Sequence, residues 1–168
     1  MEVMFFIAAI VAVIATFGVI VTLHPVHALL YLIVSLLAVA LVFFTLGAPF
    51  AAALEVIIYA GAIMVLFVFV MMMLNLGNSE AQRERARLSR QRWFGPAALA
   101  AILLIELAYL LAQGSGSSAA LRLVDSKAVG TVLFGPYVLG VELASLLLLA
   151  GLVGAYHIGR REDDDEDA

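Results

Sequence analysis

Five apolar runs, each about as long as a bilayer is thick, constrain this chain more than any other feature. A hydrocarbon core of about 30 Å takes roughly 20 helical residues to cross. Residues 3–23, 28–46, 51–74, 93–112 and 136–158 all reach that length. Few polar residues alternate within them, which disfavours barrel strands. Irregular backbone facing lipid would lose its hydrogen bonds, which leaves helices. The expected fold is therefore an all-α integral membrane protein with five transmembrane helices. Composition agrees, with 65% hydrophobic and 13% charged residues, against roughly 45–50% and 25% in soluble domains. Only Met1 and Glu2 precede the first run. With no basic leader and an apolar stretch longer than a signal core, that run is expected to stay in the mature protein.

Charge sets the expected orientation. The net charge of −4 is concentrated at the C-terminal end, where Glu162 to Asp167 are all acidic. Elsewhere the distribution of basic residues is more informative. Arg83, Arg85, Arg87, Arg90 and Arg92 join the third and fourth runs, and Arg160 and Arg161 follow the fifth. Only Arg122 and Lys127 lie between the fourth and fifth. The positive-inside rule then places the N-terminus outside and the C-terminus in the cytoplasm. The expected organisation is a five-helix transmembrane domain over 1–159 and an acidic cytoplasmic tail over 160–168. A basic stretch joining two membrane runs also argues against a nucleic-acid face.

The connections differ in kind. His24-Pro25-Val26-His27 and Gly47-Ala48-Pro49-Phe50 read as tight turns that make the first three helices antiparallel neighbours. The 113–135 connection begins with a Gly/Ser run and turns semi-apolar through Leu121, Leu123, Val124, Val129, Val132 and Leu133. That pattern suits a segment lying at the interface or against a partner.

Three carboxyls fall within spans: Glu55, Glu106 and Glu142. A charge at the bilayer centre costs about 2.5–3.5 kcal/mol on insertion scales. Each is open to two readings: a proton-carrying or hydrated site, or a glutamate near an interface bonded to a neighbouring subunit. For Glu106 the second is favoured. Glu55 and Tyr59 stand at i and i+4, where a phenol and a carboxyl can share a proton network. Beyond them come Ala60, Gly61 and Ala62, then Ile63, Met64 and Val65. Glycine and β-branched residues are weak helix formers. A π-bulge could be tolerated there, although packing through small residues explains the same spacing. In the fifth run Gly140, Ala144, Gly151 and Ala155 make a small-residue seam, with Glu142 on another face. Met71-Met72-Met73 reads as adaptable packing. Absent cysteine excludes iron–sulfur and thiolate zinc sites in this chain. No metal ligand set is expected, and haem ligation by His27 and His157 is a minor alternative.

Three segments carry a family resemblance. They are His24-Pro25-Val26-His27-Ala28-Leu29-Leu30-Tyr31-Leu32, LEVIIYAGAIMVLFVFV at 54–70 with the following 71–75, and FGPYVLGVELASLLLLA at 134–150. Together they resemble subunit J of bacterial NADH-quinone oxidoreductase, respiratory complex I, the counterpart of mitochondrial NADH dehydrogenase subunit 6. The arginine-rich loop, the fourth helix, the outer connection and the tail match loosely. The resemblance implies a subunit of the bacterial inner membrane without a redox centre or catalytic residue of its own. It implies neighbours A, H and K in the membrane arm, with FMN, iron–sulfur clusters, NADH and quinone handled by other subunits. It further implies a third helix that switches between a π-bulge and a regular α-helix, here at Tyr59 to Val65 with Gly61 as the pliable point. That switch would gate a water path through Glu55, Tyr59, Gly61, Ala62, Met64, Val65 and Glu142, coupling quinone reduction to proton translocation. The alternative is a subunit of a multisubunit cation/proton antiporter, which would not co-purify with flavin and iron–sulfur subunits.

Overall fold

The structure, a computed structural model, describes residues 2–23, 25–73, 90–112 and 124–160. His24, the connections 74–89 and 113–123 and the tail from 161 onward lie outside the described residues, as do the side chains of residues 90–92. All the arginines used above for orientation except Arg160 are therefore outside the side-chain description. Every described element is helical: α1 (Glu2–Val21), α2 (Pro25–Thr45), α3 (Pro49–Leu54), a π-helical segment (Glu55–Ile63), α4 (Met64–Met73), α5 (Arg90–Ala112), α6 (Ser126–Leu133) and α7 (Val138–Gly159). Five helices are long and apolar enough to cross a membrane: Glu2–Val21, Pro25–Thr45, Pro49–Met73, Trp93–Ala112 and Val138–Gly159. The third of these is continuous through α3, the π segment and α4.

Prolines set several boundaries. Pro25 and Pro49 open their helices, earlier than the sequence expectation, because a first-turn proline loses no intrahelical bond. Pro136 does the opposite. It lies in the turn 134–137, and the last helix begins only at Val138. Between α2 and α3 the chain reverses at Gly47, whose φ is 83°. The Ala48 N–H donates to the Phe43 carbonyl at 3.0 Å and the Gly47 N–H to the Phe44 carbonyl at 3.1 Å. That bond pair is a Schellman cap, which needs a left-handed residue and so selects glycine. The Gly47 carbonyl in turn accepts the Val124 N–H at 3.0 Å.

Two units divide the chain, Met1–Val124 and Asp125–Ala168. The core of the first is built from Ala8, Val11 and Ala15 of α1, Val34, Ala38 and Leu41 of α2, and Leu103 of α5. Spacings of three, four and seven residues put each set on one helical face. Ala8, Ala15 and Ala38 are fully enclosed, and small side chains of this kind let helix backbones approach closely. Thr16 and Ser35 clasp α1 to α2 at 2.8 Å between their hydroxyl oxygens, and Thr16 also donates to the Ala12 carbonyl at 2.8 Å. Ser35 is buried at this seam, and the bond to the exposed Thr16 keeps its hydroxyl satisfied.

α5 joins this pair beside α2. The His27 and Trp93 rings meet edge-on with centroids 6.2 Å apart, and further along Tyr31 fills the space left by two glycines, Gly18 on α1 and Gly95 on α5. The contacts advance in the same direction on both helices, so α2 and α5 run parallel.

In the second unit, α6 and α7 are joined by the 134–137 turn. A β-carbon at Gly135 would sit 2.7 Å from the Thr131 carbonyl oxygen, so the turn closes only around glycine. The interfacial segment expected over 113–135 is described only in part, and that part contains α6.

The Tyr31 wedge gives a direct test of the first unit. A β-carbon at Gly95 would strike the Tyr31 hydroxyl. Gly95→Ala should therefore destabilise the α1–α2–α5 packing by about 1–3 kcal/mol. Tyr31→Phe in the same chain should restore part of that loss, read as the thermal midpoint of the purified protein.

Candidate functional site

The third span contains the only π-helical segment among the described residues. An α-helix closes each turn from N–H to the carbonyl four residues back, and a π-turn closes it five back. At the start the Glu55 N–H still bonds to the Ala51 and Ala52 carbonyls, in helical α geometry. At the end the Met64 N–H is shared between the Gly61 carbonyl and the Tyr59 carbonyl, the latter five residues away. Between these points lie Glu-Val-Ile-Ile-Tyr-Ala-Gly-Ala-Ile, 9 residues. Four are β-branched (Val56, Ile57, Ile58 and Ile63) and one is glycine, a composition that holds the α form weakly.

The widened turn differs from the expected position. It spans Glu55–Ile63 instead of Tyr59 to Val65, so Met64 and Val65 already belong to α4. Gly61 lies inside it, and a β-carbon there would stand 3.2 Å from the Val56 carbonyl oxygen, a tight approach. Met64, by contrast, is 2% exposed and anchors the start of α4. The family resemblance implies a bulge around the glycine. The structure extends it back to the carboxyl, because the β-branched run before Tyr59 is part of the weakness.

Glu55 is half-buried at the first position of the π segment, and Tyr59 is half-exposed four residues on. No hydrogen bond joins their side chains among the described residues. They share a segment, but the structure does not bring them into a bonded pair. Ala62 and Val65 are exposed. Glu142, in the second unit, is also exposed, and its backbone carbonyl accepts the Ser145 hydroxyl at 2.7 Å. Gly140 and Gly151 of the same helix meet nothing of their own unit within 4 Å of an added β-carbon, so that part of the seam has no occupant there.

Beside the π segment an apolar cavity of about 340 Å³ lies among α2, α3 and α5, lined by Leu37, Leu41, Phe44, Ala52, Val56 and Leu103 with their neighbours. Val56 thus contributes to both features.

Two polar residues buried in the first unit lie outside the expected site. His27, in the first turn of α2, is 6% exposed and stands against Trp93. For Glu106 the favoured expectation of the two is a glutamate near an interface bonded to a neighbouring subunit. Glu106 is 6% exposed inside its own chain, and both carboxyl oxygens are buried with no hydrogen-bond partner. Leu99, Leu103 and Leu110 stand seven and three residues before and four after it on the face that packs into the core, but the other faces of α5 are equally apolar, so helical spacing alone does not single this one out. Among the described residues no group of three or more His, Cys, Asp or Glu could hold a metal ion.

These features define a polytopic α-helical membrane protein whose third span carries a built-in π-helical segment next to a carboxyl. The NADH-ubiquinone/plastoquinone oxidoreductase chain 6 family matches residues 15–158, and the chain belongs to that family. It is 61% identical over 163 residues to NADH-quinone oxidoreductase subunit J of Pseudomonas aeruginosa, covering 96% of this chain and 98% of that protein. To the subunit J of Escherichia coli strain K12 it is 59% identical over 162 residues, covering 96% and 88%. A Buchnera aphidicola subunit J, from the Acyrthosiphon pisum subspecies, is 48% identical over 167 residues, covering 99% and 98%.

The local geometry makes a structural prediction. Gly61→Ala presses against the Val56 carbonyl and adds helix propensity worth roughly 0.8–1.0 kcal/mol. A structure of that variant should show the π segment shortened, with the Met64 N–H bonded to the Ala60 carbonyl. An unchanged bond to Tyr59 would remove Gly61 as the determinant.

Proposed function

We propose that this chain is a membrane-arm subunit of a proton-pumping NADH:quinone oxidoreductase, and that its third span is a two-state element coupling quinone reduction to proton movement. Family membership along most of the chain supports the first part. The antiporter alternative is not favoured, since relatives sharing 48–61% identity are named as subunits of the oxidoreductase. In this reading the chain has no redox centre, and FMN, iron–sulfur clusters, NADH and quinone belong to other subunits, with subunits A, H and K as neighbours. It crosses the bacterial inner membrane five times with its N-terminus outside, residues 1–159 forming the helical domain and 160–168 the cytoplasmic tail.

The observation that carries the coupling role is the π segment itself, which begins at Glu55 and encloses Tyr59 and Gly61. A π-turn holds one residue more than an α-turn. Passing that residue out at one end turns the intervening side chains by about 100° around the helix axis. Such a rotation carries Tyr59 and Glu55 between two environments without breaking the span. The cavity bordered by Val56 leaves room for side chains to resettle. Bistable packing of this kind is how small local shifts become discrete states. A phenol and carboxyl turned into a hydrated path complete it, and turned away they leave an apolar wall. Gly61, Ala62, Met64 and Val65 set the pivot, while Glu142 serves the path from the fifth span.

Gly61→Leu should lower both proton pumping and quinone reductase activity while the complex still assembles. Normal pumping in that variant would refute the gating role. Glu142→Gln should slow turnover or assembly only partially, measured as quinone reductase activity per assembled complex, and total loss in an intact complex would make Glu142 an obligatory proton carrier.

A further inference from the structure

The buried carboxyl of Glu106 lies outside the coupling path just described. It projects from α5 into the packed first unit, on the face that also carries Leu99, Leu103 and Leu110. With 6% of its surface exposed, a neighbouring subunit can touch almost none of it. Both carboxyl oxygens are enclosed and neither has a hydrogen-bond partner. No lysine or arginine occurs within the apolar part of any span, so no cation is at hand. The buried hydroxyls of the first unit are already bonded elsewhere: Ser35 to Thr16 at 2.8 Å, and Thr45, which donates to the Val42 carbonyl at 2.9 Å. Register also sets Glu106 apart from the Thr16–Ser35 pair. Tyr31 meets Gly95, Ser35 lies one turn beyond Tyr31, and Glu106 lies eleven residues beyond Gly95. At 1.5 Å per residue on parallel helices, Glu106 is about 10 Å further along than the Thr16–Ser35 pair.

A lone ionised carboxylate in such a place has nothing to offset its desolvation. A carboxylic acid instead offers one donor and several acceptor positions. Water is the molecule small enough to enter a packed helical core and to serve both roles. We propose that Glu106 is an internal proton-holding site, a carboxylic acid hydrogen-bonded to confined water among α1, α2 and α5. The site is independent of the π segment, which lies on the third span, and it stands whether or not that segment gates a path.

A hydrophobic carbodiimide tests this in native membranes carrying the assembled complex. The acid proton passes to one nitrogen of N,N′-dicyclohexylcarbodiimide while a carboxyl oxygen adds to its central carbon. Acyl transfer from that oxygen to nitrogen then leaves a stable N-acylurea, with every atom of acid and reagent retained. Mass spectrometry should find the adduct on Glu106, with at least tenfold less label from a membrane-impermeant carbodiimide. Absence of label on Glu106, in a sample whose other membrane carboxyls are labelled, overturns the proposal, as does equal labelling by the impermeant reagent. Infrared spectra provide a second reading. E106Q should remove a carboxylic acid C=O band that shifts in D₂O in the unsubstituted complex. Loss of a carboxylate band instead, or an acid band that does not shift in D₂O, also overturns it. Should E106Q fail to assemble, labelling of the unsubstituted complex decides alone.

Discussion

Inside a bilayer there is no water to accept a broken backbone hydrogen bond, and the rest of this structure depends on that constraint. It forces each apolar run to satisfy its own N–H and C=O groups, which is why every described element is helical. It also explains how a π segment survives in the third span. A π-turn keeps each backbone group bonded, only to a partner five residues away, so the span changes its winding without exposing polar backbone to lipid. A break or loop at the same place would lose those bonds outright.

The same constraint governs side chains. Thr16 and Ser35 bond to each other and to the Ala12 carbonyl, so two hydroxyls are carried into the α1–α2 seam without an unsatisfied donor. Alanines on either side keep that seam narrow. Tyr31 follows a different solution: its ring occupies the space vacated by Gly18 and Gly95, and one aromatic residue ties three helices together. Glu106 is the exception to internal satisfaction, and it is the group that most needs a proton and water to explain its position.

Much of the fold was legible in the residues. Run lengths gave five helices, and Pro25, Gly47 and Pro49 gave the reversals, because helix periodicity and turn chemistry are local properties. The residues near Gly61 left both a π-bulge and plain small-residue packing open, and the winding itself was not legible. Winding depends on how all nine residues share their hydrogen bonds, and the glycine marks only one point in that set. The packing of α5 was hardest to read. Its leucines make it apolar on several faces, so the inward direction of Glu106 could not be picked from hydropathy. Only the fit of Tyr31 between glycines on two helices fixes the rotation of α5 and hence where that carboxyl points.

The sequence by itself determined that this chain must be helical, how many spans it has and where it turns. Those properties follow from residue-level energies: transfer of apolar side chains, the dihedral limits of proline and glycine, and the cost of unpaired backbone in hydrocarbon. The tertiary structure decided that the π winding begins at Glu55, that His27 is enclosed against Trp93, and that Glu106 turns inward without a partner. Each of these is set by contacts or hydrogen bonds between residues, and an apolar chain offers many such arrangements of similar burial. Close packing through small side chains selects one of them.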